Sequence, residues 1–300
     1  MSVALLAASC NTNDRFGEEM YKKVFSLMGN SDNIYVATHS FANTTSPGFV
    51  SVLCGGTNPI EEDITVELEY DSGIIDRYNY RYFDLDSARY AKRLDTARYK
   101  ILSFTATMKA GQADPYATFP LEIYTAGISP DSVYFIPLRI KSVSGNYEVN
   151  PDMVSVMYRP SVENMYARTQ VATTYSMRGT RGTAEITATK TMYPLTVNQS
   201  RITVDNQTGL TDNIANLDLV NRYGIVLTVG DGNLVSLSPY STIEVETLGD
   251  AKENRYEVVA GVRTFYLHYR YRTLTAPATE STPATYSAWT EIEEVLKRQN

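Results

Sequence analysis

Apolar and polar residues alternate along the chain from about residue 34 onward, the period of two that marks strands with one buried and one wet face. Across 63–70, Ile64, Val66, Leu68 and Tyr70 fall on one side and Thr65, Glu67 and Glu69 on the other. The pattern recurs at Tyr134, Ile136, Leu138 and Ile140, where Pro137 inside the run argues for an edge strand or a bulge. It continues through Val154, Val156 and Tyr158 after the turn Asn150-Pro151-Asp152, then through Ile202 and Val204, and Tyr223, Ile225, Leu227 and Val229. Ile243 and Val245, then Phe265, Leu267, Tyr269 and Tyr271, complete it. Turn residues punctuate these runs at short intervals, among them Gly55-Gly56, Asp71-Ser72-Gly73, Ser144-Gly145-Asn146 and Gly249-Asp250. Many short strands with close turns predict antiparallel sheets in sandwiches or barrels rather than a parallel α/β core.

Helix is scarce. Phe16, Met20, Val24, Leu27 and Met28 fit a helical stripe, yet Val24-Phe25-Ser26-Leu27 reads better as a first strand. Residues 86–99 are charged and predict a turn of helix before strand character resumes over 99–107. Arg159-Pro160-Ser161 and the polar stretch 163–174 place a boundary near residue 165, and 275–285, with Pro277 and Pro283, reads as a long loop before a last strand. The expected architecture is all-β: a tether over 1–29, a β-sandwich over 30–162, and an antiparallel β-barrel or second sandwich over 165–300. In the last of these, the runs 183–190, 201–205, 223–229, 234–238, 243–247, 256–259, 264–272 and 288–295 form a meander. Roughly eight strands can close into a lipocalin-like barrel that admits one small ligand, which offers a binding site in the barrel mouth.

Composition changes this picture in one respect. Against one Trp the 300 residues include 23 Tyr, a residue that suits half-buried strand surfaces first and stacks on sugar rings second. A formal charge of −7, with no basic cluster denser than Lys22-Lys23, leaves no nucleic-acid footprint. No apolar run approaches the roughly 18–20 residues of a membrane-spanning helix.

The run Leu5-Leu6-Ala7-Ala8-Ser9-Cys10, followed by Asn11-Thr12-Asn13-Asp14, has the form of the end of a bacterial lipoprotein signal: an apolar segment, small residues, then a cysteine whose thiol takes the lipid. Nine residues without Lys or Arg are too short for a whole signal, so the recorded start is expected to lie inside a longer one, with Cys10 as the lipid-bearing mature N-terminus. The only other cysteine, Cys54, sits in Val50-Ser51-Val52-Leu53-Cys54 and reads as a small buried hydrophobe.

Catalytic chemistry finds little support. There are two histidines, His39 and His268, and no serine lies in a Gly-x-Ser-x-Gly elbow. Zinc-type His or Cys spacing, P-loops and dinucleotide glycine patterns are missing from the sequence, and Gly179-Thr180-Arg181-Gly182 reads as a hairpin turn. Asp231-Gly232-Asn233 could hold calcium but reads as another hairpin. Glycosidases need two carboxylates about 5–9.5 Å apart, one with a raised pKa. The clusters Asp84 and Asp86, Glu61-Glu62-Asp63, and Glu291, Glu293 and Glu294 all read as solvated faces. No catalytic residue, metal ligand or cofactor is therefore expected. Aromatic clusters are the better candidates: an extended Tyr78-Asn79-Tyr80-Arg81-Tyr82-Phe83 puts Tyr78, Tyr80 and Tyr82 on one side, either as a sugar-stacking row or as a strand's inner face. Trp289, beside the closing strand, is the fourth candidate, with core packing as its alternative.

In order along the chain, 63–82, Leu94 to Tyr99 with Ile101, Lys109-Ala110-Gly111 and Tyr134-Phe135-Ile136-Pro137-Leu138-Arg139-Ile140-Lys141-Ser142 resemble an immunoglobulin-like N-terminal domain of Bacteroidetes surface lipoproteins, one also found at the front of some secreted endoglycosidases acting on N-glycans. Residues 222–298 resemble its usual C-terminal companion, through Tyr256, the run from Thr264 to Tyr271, and Glu294-Val295-Leu296-Lys297-Arg298. The resemblance implies an outer-membrane lipoprotein linked to glycan capture, in which this pair of domains carries no known catalytic residues. The endoglycosidase chemistry belongs to a separate barrel for which this chain has no room. Asp86-Ser87-Ala88, Asp95-Thr96-Ala97 and Asp131-Ser132-Val133 match the short O-glycosylation pattern of such bacteria. The expected protein is a non-enzymatic, lipid-anchored surface protein that binds glycan for an outer-membrane uptake system. The alternative is a structural or adhesive module contacting an outer-membrane transporter or other surface proteins.

Overall fold

The structure, a computed structural model, describes residues 22–56, 58–207 and 216–299, so Cys10 and most of the tether lie outside the described residues. The first half contributes β1 (Val24–Leu27), β2 (Ile34–Ser40), β3 (Thr45–Cys54), β4 (Ile64–Tyr70), β5 (Lys92–Arg93), β6 (Tyr99–Ile101), β7 (Thr105–Met108), β8 (Tyr116–Tyr124), β9 (Tyr134–Val143), β10 (Glu148–Val149) and β11 (Ser155–Glu163). One sheet runs β10-β1-β3-β8-β6 and the other β2-β11-β9-β4-β7, with β5 beside β9. Their facing residues share one buried cluster that includes Phe25, Val52, Val66, Phe119, Ile136 and Tyr158, which makes this half a β-sandwich.

Several expectations hold here for the reason given by the pattern. Ile64, Val66 and Leu68 are buried, and Cys54 is 6% exposed. Val24–Leu27 is a strand, but not part of a tether: it pairs with β3 and β10, and Phe25 and Leu27 enter the core, so the sandwich includes residues before 30. Pro137 is neither on an edge strand nor at the sheet's one bulge, because β9 lies between β11 and β4. The position tolerates proline because β4 ends opposite it. Tyr70 pairs with Leu138, the chain then leaves the sheet, and Asp71 N donates to the Pro137 carbonyl at 3.2 Å.

Between the sheets, His39 of β2 is fully buried, with Nδ1 2.9 Å from Ser46 Oγ and Nε2 2.8 Å from Tyr158 OH. Gly48 makes room for this: a Cβ there would stand 2.2 Å from the Tyr158 hydroxyl. Burial pushes the imidazole down to about 4. The unfolded chain therefore takes up a proton that the folded one refuses, so stability is full above about pH 6.5 and falls as pH drops toward 4, by on the order of 3 kcal/mol. Urea unfolding at pH 7 and pH 4.5 should show this, and His39→Gln should flatten the difference. Comparing the two proteins isolates His39, because His268 titrates in both.

The second half holds β12 (Thr173–Arg181), β13 (Ala184–Pro194), β14 (Gln199–Thr203), β15 (Gly224–Val229), β16 (Val235–Pro239), β17 (Glu244–Thr247), β18 (Arg255–Val259), β19 (Val262–Arg272), β20 (Leu274–Ala276), β21 (Thr285–Tyr286) and β22 (Thr290–Gln299). The sheet order is β16-β15-β14-β13-β12-β22-β19-β17, with β18 also on β19. β17 pairs with residues 269–272 and β18 with 262–266, so the two lie in line and fill one position. The free edges meet where Leu234 bridges Arg255 and Leu237 N donates to Thr247 Oγ1 at 3.0 Å. The result is an antiparallel, nearly closed barrel with eight strand positions.

The expected number of strands was reached by different segments. Residues 243–247 and 256–259 share a position, and the eighth is supplied by Thr173–Arg181, whose Tyr175 and Met177 point inward. The loop 275–285 is closed at its base by the β20–β21 pair. Inside the barrel, Lys190 donates to Glu294, Tyr269 donates to Glu294 at 3.1 Å, and Tyr271 donates to Asp205 at 3.0 Å. Arg181 holds Asp205 through two 2.7 Å bonds. At this level polar side chains, bonded to one another, occupy the interior. Glu294 corrects the reading of its cluster as a solvated face, since its side chain is 0% exposed and burial raises its pKa.

Candidate functional site

The segment with three alternating tyrosines is a helix, α1 (Ile74–Phe83), and not an extended row. Ile74, Ile75, Tyr78, Asn79 and Tyr82 recur at helical spacing, and Ile74, Ile75 and Asn79 are buried. Asp71 accepts from Gly73 N at 2.9 Å and from Ser155 Oγ at 2.7 Å, which turns the chain out of β4 into the helix. Asp76 in the first turn and Arg81 in the last complement the helix dipole, and Asp84 ends it at φ 46°. Asn79 locks the helix in place: its amide donates to Ala91 O at 2.9 Å and accepts from Ala91 N at 2.8 Å.

Helical geometry redistributes the candidates. Tyr78 and Tyr82 come together on one face, with ring centroids 4.9 Å apart, while Tyr80 points elsewhere and is 70% exposed. Tyr78 is anchored edge-on against Phe135 at 5.2 Å. Tyr82, 45% exposed, donates from its hydroxyl to Asp32 Oδ1 at 2.5 Å, a bond that raises its pKa. Arg81 pairs with the same carboxylate at 3.5 Å and lies over the Tyr82 ring at 5.4 Å. Asp32 stands on a turn in which Asn30 Oδ1 accepts from Asp32 N and Ile34 N. Together with Asn33, Arg77 and Met157 these groups line a depression of about 240 Å³.

Such a surface offers aromatic faces for the C–H side of a sugar ring and Arg, Asp and Asn groups for its hydroxyls. It does not offer the paired carboxylates of glycoside hydrolysis: the one carboxylate, Asp32, is engaged by Tyr82 and Arg81. Asp32, Asn33 and Arg77 were missed by sequence reasoning. Asp32 and Asn33 lie about fifty residues before Tyr82, and a turn residue carries no signal of what packs against it. Seven tyrosines among the described residues are structural: Tyr99, Tyr158, Tyr166, Tyr175, Tyr256, Tyr269 and Tyr271 are buried.

Trp289 is not brought to this site. It lies half-buried on the outside of the barrel, with the guanidinium groups of Arg270 and Arg272 each 4.7 Å from its ring centroid and outside the buried barrel cluster. Asp131, first residue of one suggested glycosylation string, is buried against Arg201.

A family model of an N-terminal domain matches residues 18–147, and a companion C-terminal model matches residues 154–297. The chain belongs to the Bacteroidetes two-domain family that this pair describes. Solved structures agree with this. A protein of unknown function from Bacteroides ovatus superposes with a TM-score of 0.62 at 13% identity, over 92% of this chain and 94% of that one. A second from the same organism gives 0.58 at 15% identity, over 95% and 93%. A protein from Bacteroides thetaiotaomicron described as an auxiliary nutrient-binding protein gives 0.56 at 14% identity, over 90% and 94%. At these identities the likeness to the solved structures is one of fold. No curated protein matches the chain.

Proposed function

We propose that this family member is a non-catalytic surface module that captures glycan through the α1 depression, is held to the outer membrane by lipid on Cys10, and delivers its ligand to an uptake system. The observation that carries this reading is the convergence of Tyr78, Tyr82, Arg81, Arg77 and Asp32 on one concave surface. The nutrient-binding relative of the same fold supports it.

A glycan array followed by calorimetry tests it. One class of polysaccharide should bind, and Tyr82→Ala or Arg81→Ala should weaken that binding about tenfold, the scale of one lost aromatic or charge-assisted contact. Tyr80→Ala and Trp289→Ala should bind as the parent does. Cys10→Ser should move the protein from the membrane to the soluble fraction. Silence across the array, or binding indifferent to Tyr82 and Arg81, would remove glycan capture and leave a module that contacts surface proteins.

A further inference from the structure

The outer face of the barrel carries a second cluster with different chemistry. In the β19–β22 register His268 lies opposite Glu293, and Glu291 lies opposite the neighbouring outward residue, Arg270. Both carboxylates therefore reach the imidazole: His268 Nε2 is 2.9 Å from Glu291 Oε1 and 3.8 Å from Glu293 Oε1. A third comes from the segment that separates β17 from β18, where Glu253 Oε1 lies 3.4 Å from His268 Nδ1.

That segment is built around the histidine. Leu248 N donates to His268 O at 2.8 Å, and His268 N donates to the side chain of buried Asn254 at 3.0 Å, which in turn donates to Leu248 O. Glu253 is aimed by Asp250 N, which donates to its Oε2 at 2.8 Å and leaves Oε1 toward the ring. Gly249, at φ 70°, keeps side-chain atoms out of the space between them: a Cβ there would lie 2.1 Å from Glu253 Oε2 and 2.8 Å from His268 Nδ1.

The ring nitrogens are unequal. Nε2 has Glu291 as its hydrogen-bond partner, whereas Nδ1 is shielded from solvent and makes no hydrogen bond. With the proton on Nε2, the lone pair of Nδ1 and the carboxylate of Glu253 face each other as two electron-pair donors, an arrangement that a cation completes. A carboxylate on the opposite ring nitrogen is also the usual support of a metal-binding imidazole.

We propose that His268 Nδ1, Glu253 and Glu293 bind a first-row divalent transition-metal cation, with Glu291 as the positioning residue for the ring. With either ring nitrogen counted, one ligand atom from each of the three residues lies within 4.8 Å of the others; Glu253 stands on the Nδ1 side and Glu293 is 3.8 Å from Nε2. Bonds of about 2.0–2.2 Å call for ligand atoms somewhat closer than that: Glu253, held through Oε2 alone, keeps Oε1 for the cation, and the exposed Glu293 side chain turns from Nε2 toward Nδ1 to join it. One imidazole among carboxylates suits Mn²⁺ or Zn²⁺ better than the all-oxygen ions Ca²⁺ and Mg²⁺. The cation would tie the β17–β18 segment to β19 and β22 at the side of a surface depression of about 280 Å³ that Arg178, Thr180 and Tyr266 also line.

Mn²⁺ titration of the full chain, followed by electron paramagnetic resonance, tests this. One equivalent should bind saturably, and pulsed spectra should show coupling to an imidazole nitrogen. His39 is sealed in the other half's core, so that coupling reports His268. His268→Gln should abolish the coupling, His268→Gln and Glu253→Gln should each weaken binding at least tenfold, and Glu246→Gln on the same barrel face should leave it unchanged. Circular dichroism of each variant confirms the fold. No saturable binding up to about 1 mM, or binding without nitrogen coupling, would overturn the site and show only adventitious carboxylate association.

Discussion

Lys190→Met is expected to cost the protein about 3–5 kcal/mol, because it leaves Glu294 inside the barrel without its counter-charge. Both side chains are fully enclosed, and burial pushes each toward its neutral form, lowering the lysine and raising the glutamate. The loss should depend on pH in a defined direction. Without Lys190 the folded pKa of Glu294 rises further above its unfolded value, so the folded variant holds a proton that the unfolded chain releases. Its stability must then fall as pH rises from the ordinary carboxylate range through the folded pKa. Denaturant titrations should therefore show a smaller deficit at pH 5 than at pH 8. Lys190→Met combined with Glu294→Gln should recover most of the loss, since the amide keeps an acceptor for Tyr269 without a buried charge. A single variant as stable as the parent at pH 8 would mean that the pair is neutral in the folded protein.

That pair also shows where sequence reasoning stops. Ile64, Val66 and Leu68, or Phe265, Leu267, Tyr269 and Tyr271, could be placed correctly because one face of each strand is buried and the alternation states which. Glu294 has the outward look of Glu291 and Glu293, and only a lysine 104 residues earlier makes its inward position tenable. Ambiguity of period hid α1. Tyr78, Tyr80 and Tyr82 satisfy a period of two, while Ile74, Ile75, Tyr78 and Tyr82 satisfy the helical one, and the burial of Asn79 against Ala91 decides between them. The tyrosines of the candidate site were therefore recognisable but their grouping was not; Arg77 joins them through the helical period and Asp32 only through the tertiary fold. The metal cluster was hidden likewise: Glu253, His268 and Glu293 have no metal-ligand spacing and meet through strand register and one inserted segment.

The junction between the halves leads to the second large effect. Arg201 on β14 is 2% exposed, although it faces away from the barrel core that its neighbour Ile202 enters. Its guanidinium donates to both oxygens of Asp131 at 2.5 Å, on the loop that precedes β9, and lies 4.8 Å from the Tyr193 ring centroid and 4.6 Å from that of Tyr240. Tyr240 donates to the same carboxylate. A charge held this far from water depends on its partner, so Arg201→Ala should cost about 3–5 kcal/mol, most of it from stranding Asp131. The loss falls on a contact between two separately cored halves, so it should change cooperativity as well as stability. Calorimetry should then resolve two transitions where the parent shows one, and protease should cut Arg201→Ala faster between β11 and β12. Asp131→Ala should reproduce both effects. If either variant still unfolds in one transition within about 1 kcal/mol of the parent, the halves are joined by their remaining contacts and this buried pair sets only their register.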